Sequence, residues 1–148
     1  MSCSGARKET IVGKTRVKVK LTNAVDQALV RRGLMKPDEV RGYEADALVD
    51  TGAVRCVLPP FVVERLGLAL LGRRVAEYAD GRLEAVGLTE PFMLEVAERE
   101  ELETAMVLGD EVLIGQTALE KLDLFVDSVN QRLVPNPAHP DQPVSKVK

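Results

Sequence analysis

Histidine is almost missing from this chain: His139 stands alone, in the proline-rich stretch PNPAHPDQP. A Ser-His-Asp or Cys-His enzyme would have to build its site from that one segment, which argues against both. Cysteine is nearly as scarce. Cys3 and Cys56 form neither a disulfide framework nor a metal-ligand spacing, and Cys56, set in an apolar segment, reads as a small buried hydrophobe. Aromatics make up 3% of residues, and 20 basic residues against 23 acidic ones leave a net charge of −3 with no basic cluster beyond the pairs Arg31-Arg32 and Arg73-Arg74, so nucleic-acid binding is not expected. Long hydrophobic runs are absent too, and the opening MSCSGARKETIVGK is polar. The expectation is a soluble, cytoplasmic protein that neither spans a membrane nor is exported.

What is present suits one domain: 148 residues, 45% of them hydrophobic, enough for a real core. Residues 1–9 read as a flexible N-terminus, 10–135 as the folded domain and 136–148 as a Pro-rich, extended or disordered tail. Thr10 to Leu21 alternates Val17, Val19 and Leu21 with Arg16, Lys18 and Lys20, the period of a half-buried strand. In AVDQALVRRGL, Val25, Ala28, Leu29 and Leu34 fall at helical spacing, with Asn23 as N-cap and Gly33 as stop, so a short helix or turn is inserted within residues 23–42. Val40 to Val49 returns to strand, and Phe61, Val62, Leu66 and Leu68 suggest one amphipathic turn ended by Gly67.

Asp80-Gly81 between RRVAEYA and RLEAVGL predicts a hairpin. Phe92 to Val96 and Glu103 to Leu108 read as strands joined by a solvated, charged tip, Glu98 to Glu101. Glu111 to Gly115 reads as an apolar strand leading into a short helix over QTALEKLDL, whose Ala118, Leu119 and Leu122 share a face, and short strands at Leu124 to Val126 and Arg132 to Val134 follow. Many short strands and one or two brief helices predict a mainly β, barrel-like domain.

One stretch, EADALVDTGAVRCVLPP (residues 44–60), sets a carboxylate, Asp50, inside what otherwise reads as core strand, an expensive position unless the charge is used. Asp-Thr-Gly by itself is weak, arising by chance in roughly 4% of chains of this size at average usage. Its context is stronger: an apolar strand before it, Ala53 after it, the Asp80-Gly81 hairpin beyond, then Val112-Leu113-Ile114-Gly115 leading into a helix. In this order the sequence, over residues 11–135, resembles the retropepsin-like aspartic proteases, single-lobe homodimeric relatives of pepsin. It is most similar to the bacterial stand-alone members, with Leu66-Gly67-Leu68 and the Asn136-to-Pro140 segment as further shared features.

The resemblance implies an aspartic endopeptidase that needs no metal or organic cofactor, acts on a peptide or protein substrate, and has itself as partner. One Asp-Thr-Gly supplies half a site, so Asp50 would meet its twofold mate. One carboxylate would draw a proton from water while the other protonates the scissile carbonyl oxygen. By the same resemblance Thr51 ties the two catalytic loops across the dimer, Gly52 allows close backbone approach, and Tyr78, Ala79, Asp80, Gly81 and Arg82 form a flap which, with Ala53, holds substrate as an added strand. Ala53, where pepsin-like lobes carry a hydroxyl, leads to the expectation of a weakly acidic optimum. The match has departures: Val54 and Gln116 stand where retroviral enzymes pair an acid with an arginine, and the flap tip is charged rather than glycine-rich. The residues leave open a dimer that keeps the fold but binds a peptide or regulatory partner without cleaving it, including a toxin-antitoxin-like regulator.

Overall fold

The computed structural model describes residues 15–147, so the N-terminal segment 1–9 and the first residues of the strand expected from Thr10 lie outside the described residues. Among the described residues eleven strands and three short α-helices follow one another, a mainly β architecture. The strands are β1 (Thr15–Asn23), β2 (Gly42–Val49), β3 (Cys56–Leu58), β4 (Leu70–Glu77), β5 (Leu83–Thr89), β6 (Phe92–Val96), β7 (Arg99–Glu103), β8 (Ala105–Val107), β9 (Leu113–Ile114), β10 (Leu124–Asp127) and β11 (Arg132–Pro135). The helices are α1 (Ala24–Arg31), α2 (Pro60–Leu66) and α3 (Gln116–Leu122). Nine strands form one open, mixed sheet in the order β4-β5-β8-β3-β9-β2-β1-β6-β7, and β10 pairs with β11 in a separate hairpin. No helix among the described residues is long and apolar enough to cross a membrane.

Alternation decides which face each strand buries. In β1 the side chains of Val19 and Leu21 enter the core while Arg16, Lys18 and Lys20 stay exposed, as a period of two requires. Leu58, Phe92, Leu94 and Ile114 join them, and α2 and α3 cover the cluster with Val62, Leu66, Leu119 and Leu122. Helix α2 starts with proline at its first position and ends on Gly67 at φ +66, a left-handed cap. The Gly67 position is doubly restricted, because a Cβ there would meet the Arg41 guanidinium.

Helix α1 corrects the sequence expectation in one respect. Asn23 caps it, accepting the Asp26 N–H at 2.9 Å, but its buried side chain is that of Asp26, 1% exposed, while Val25 and Leu34 face solvent. The carboxylate is matched by Arg41, which reaches it through Nε and Nη2, both at 2.9 Å, and through its backbone N–H at 3.0 Å. That fork is what a buried carboxylate needs, and it closes the insertion upon itself. The Arg41 guanidinium holds the Asp26 carboxyl below the usual carboxylate range. A depressed native pKa means stability that is present above the unfolded carboxylate value and lost as pH falls through the lowered one. The insertion is therefore expected to loosen only in acid below the usual carboxylate range, and Asp26→Asn to remove much of that acid sensitivity; equal acid midpoints for the two proteins would contradict this.

A second correction concerns the charged run Glu98 to Glu101. The tip is Ala97-Glu98 alone, both at positive φ (51° and 65°), the two-residue geometry that matches strand twist. Arg99 onward is strand β7, and the strand expected from Glu103 begins at Ala105. Arg99 is 6% exposed. Its guanidinium donates to the carbonyls of Leu122 at 3.0 Å, Asp123 at 2.9 Å and His139 at 2.5 Å.

The tail has no helix or strand, yet residues 136–144 are fastened. The Asp123 carboxylate accepts from Asn136 Nδ2 at 3.0 Å and from the Val144 N–H at 3.1 Å, and pairs with His139 Nδ1 at 2.6 Å. Replacing Arg99 with methionine keeps most of its volume but strips three carbonyls of a charged donor. It is expected to cost about 3 kcal/mol or more in denaturant unfolding and to raise hydrogen exchange in residues 136–144; a loss inside measurement error would assign the tail's order elsewhere.

Candidate functional site

The Asp50 loop is the turn between β2 and β3. Strand β2 lies beside β9 in parallel, with Val49 opposite Ile114, and the backbone continues that pairing past the strand end: Leu48 N–H donates to Val112 O and Asp50 N–H to Ile114 O, each at 2.9 Å. The chain then turns sharply. Ala53 N–H donates to Asp50 O at 3.1 Å, and the Gly52 N–H donates to Asp50 Oδ1 at 3.0 Å. That second bond fixes the carboxylate over its own turn.

The far side of the loop is held by the start of α3. Gln116 N–H donates to Ala53 O at 2.7 Å and Thr117 N–H to Val54 O at 3.2 Å. Both donors belong to the first turn of the helix, where backbone N–H groups have no intrahelical partner, so loop and helix satisfy each other. Gly115 is the point of crossing: a Cβ there would lie 2.5 Å from the Arg55 carbonyl oxygen and 2.9 Å from that of Val54. Its φ of −90° is open to any residue, so what demands glycine is proximity.

Exposure at the loop overturns the expectation of a buried carboxylate. Asp50 is half-buried in the single chain, Thr51 and Gly52 are exposed, Ala53 is half-buried and Val54 is 70% exposed. The apolar residues on either side, Val49 and Cys56 among them, are buried because they belong to two strands that leave the turn in different directions. Thr51 makes no side-chain hydrogen bond among the described residues, so its hydroxyl is open to an outside partner. Beside the loop lies a cavity of about 440 Å³ whose lining includes Val54, Arg55, Thr117 and Lys121. Cys56, directly after the loop, is 1% exposed, and burial pushes its thiol up to about 11. As expected, it is a small buried core residue.

The Asp80-Gly81 hairpin forms as expected, as a three-residue turn. Gly81 N–H donates to Tyr78 O at 2.8 Å and Tyr78 N–H to Arg82 O at 2.9 Å, with Gly81 at φ +86, the glycine-bulge closure. The tip is tied within itself: Asp80 Oδ1 accepts the Arg82 N–H at 3.0 Å, the Tyr78 hydroxyl bonds Glu84, and the Arg82 guanidinium stacks 4.1 Å from the Tyr78 ring centroid. Tyr78, Ala79, Asp80, Gly81 and Arg82 are thus one unit, and Asp50, Thr51, Gly52 and Ala53 another. No hydrogen bond or ion pair among the described residues joins the two.

Two features escaped the sequence: the Gly115 crossing, legible only as a glycine after an apolar strand, and the Arg99-Asp123-His139 knot behind α3. No group of three or more His, Cys, Asp or Glu side chains among the described residues is placed to hold a metal ion. Comparison with protein-family models gives no match, and comparison with curated proteins gives none either.

Proposed function

We propose that the chain is a retropepsin-like aspartic endopeptidase active as a homodimer, with Asp50 of each copy forming one half of a proton-sharing dyad. The observation that carries this reading is the Asp50-Thr51-Gly52 turn, with its carboxylate bonded to the Gly52 N–H and its backbone braced by Ile114, Gln116 and Thr117. Such bracing is the rigidity a catalytic carboxylate requires. The chain carries one such turn, so a second copy must complete the site.

Supporting the dimer are the exposed Thr51 and Val54 at the loop and, on β10, Phe125 at 50% exposure, apolar and hydroxyl groups that a partner copy would cover. In the dimer the two carboxylates approach within a few ångströms and retain one proton between them. The ionised member takes a proton from the attacking water as the protonated member gives its own to the carbonyl oxygen, yielding a tetrahedral diol; the first then passes its proton to the amine nitrogen as the C–N bond breaks, while the second takes a proton back from a diol hydroxyl. The hairpin of β4 and β5 closes over the extended peptide and excludes water.

The test is incubation of the dimeric protein with a diverse peptide library from about pH 4 to about pH 7.5, the range a proton-sharing carboxylate pair makes useful. Cleavage that is blocked by a hydroxyl-bearing mimic of the tetrahedral intermediate and indifferent to chelators is the expected result. A folded dimer that cleaves nothing at any pH would instead favour the peptide-binding reading.

A further inference from the structure

The cavity of about 440 Å³ beside the Asp50 loop is lined by charges of unequal standing. Lys121, on α3, is matched: its Nζ lies 2.7 Å from Glu103 Oε2 and donates to the Leu102 carbonyl at 2.7 Å. The Glu103 side chain is 6% exposed, so its carboxylate is sealed beneath that ammonium. Arg55 is different. It is exposed and forms no ion pair among the described residues, so two cations against one paired carboxylate leave the lining one positive charge in excess. The hydroxyls of Thr104 and Thr117, also in the lining, make no hydrogen bond among the described residues, and Pro91 and Leu102 supply apolar wall.

The chain itself bounds the distance from this cavity to Asp50. Arg55 follows Asp50 by five positions, so the two Cα atoms lie at most about 18 Å apart even for extended backbone, and the turn closed by the Ala53 N–H on Asp50 O shortens that span. An extended peptide advances about 3.3 Å per residue. Side chains two to four residues from a bond held at Asp50 therefore reach the cavity. Of its lining, Val54 alone belongs to the loop surface that a partner copy would cover; Pro91 precedes β6, Leu102 lies on β7 and Thr104 follows it.

We propose that this cavity is a specificity pocket for an aspartate or glutamate side chain of the peptide, two to four residues from the scissile bond, with Arg55 selecting the carboxylate and the Thr104 and Thr117 hydroxyls donating to it. The inference rests on the dyad reading of Asp50 and names the substrate class of that site, acidic peptides. A lysine in the pocket would face Arg55, a like-charge contact that rejects it. The second copy repeats the pocket across the twofold axis, so the acid is selected on both sides of the bond. A net charge of −3 disfavours acidic peptides over the chain as a whole, which gives any preference for them a local cause.

Two measurements test this. Fluorescent Glu-Glu-Glu-Leu-Phe-Glu-Glu-Glu and its glutamine and lysine counterparts are titrated by anisotropy into Asp50→Asn, which cannot consume the probe, and the cuts that wild type makes in the peptide library are mapped. The expected result is tighter binding of the glutamate peptide than of either counterpart, weakened by added salt, with aspartate or glutamate enriched two to four residues from the cuts on both sides. Arg55→Glu, added to Asp50→Asn, should lower the glutamate-to-lysine affinity ratio by about tenfold or more, whereas Arg55→Lys should retain most of it, both at the parent's denaturant midpoint. No binding at millimolar concentration, equal binding of the three peptides, a ratio that survives Arg55→Glu, or cuts without acidic enrichment would overturn the pocket, and the last of these leaves the proposed proteolysis standing. Arg55-dependent binding by a protein that cleaves nothing would support the pocket and count against proteolysis alone.

Discussion

Asp50→Asn is expected to abolish peptide cleavage and leave the fold intact. The substitution is nearly isosteric, and the asparagine Oδ1 can still accept the Gly52 N–H that Asp50 Oδ1 accepts at 3.0 Å, so the turn keeps its shape. Half-buried Asp50 forms no ion pair among the described residues, and unfolding free energy should stay within about 0.5 kcal/mol of wild type. Chemistry fares differently. In a homodimer one substitution alters both halves of the dyad, removing the proton acceptor and the proton donor together, and groups that act as a unit are lost as a unit. A fall in kcat/KM on the order of 10⁴-fold or more is expected. Residual cleavage close to the wild-type rate in the purified variant would place the chemistry elsewhere or in a contaminant.

Gly115→Ala should be strongly destabilising for a single added methyl. Both atoms that the new Cβ would meet, the carbonyl oxygens of Arg55 and Val54, belong to backbone, at 2.5 Å and 2.9 Å. No rotamer change can relieve the overlap, so either α3 or the Asp50 loop must shift. Overpacking of this kind costs about 1–3 kcal/mol, and the shift falls on the bonds from Gln116 and Thr117 that brace the loop. Any activity should thus fall further than stability does. Gly72→Ala is the control: it sits in β4 with nothing within 4 Å of its Cβ position. Denaturant unfolding of the two variants decides the matter, and equal midpoints would show that the loop and helix yield more easily than their geometry indicates.

Features set by neighbours in sequence were legible in advance. Asn23 announces α1 because a cap acts over three residues, Gly67 ends α2 by its own backbone freedom, and Asp80-Gly81 closes its hairpin locally. Features set by distant partners were not. Four charged residues, Glu98 to Glu101, look solvated in the sequence, but Arg99 finds its acceptors 23 to 40 residues away, at Leu122, Asp123 and His139. Asp26 reads as a surface helix residue until Arg41, 15 positions on, is placed against it. The exposure of Asp50 was misjudged for a related reason: apolar neighbours in sequence were taken for neighbours in space, whereas the turn carries Val49 and Cys56 into separate strands.

The knot at Asp123 also bears on the order in which the molecule can be completed. Arg99 and Asp123 are synthesised well before His139 and Val144, and a chain emerging from the ribosome folds its earlier parts first. Until residues 136–144 are free of the exit tunnel, the buried guanidinium lacks its His139 acceptor, and the Asp123 carboxylate lacks the donors of Asn136, His139 and Val144. The sheet can form on the nascent chain, but the back of α3, the same helix whose first turn braces the Asp50 loop, is sealed only after every strand has been made. Nascent domains would therefore carry an open back to α3 until translation has passed the tail.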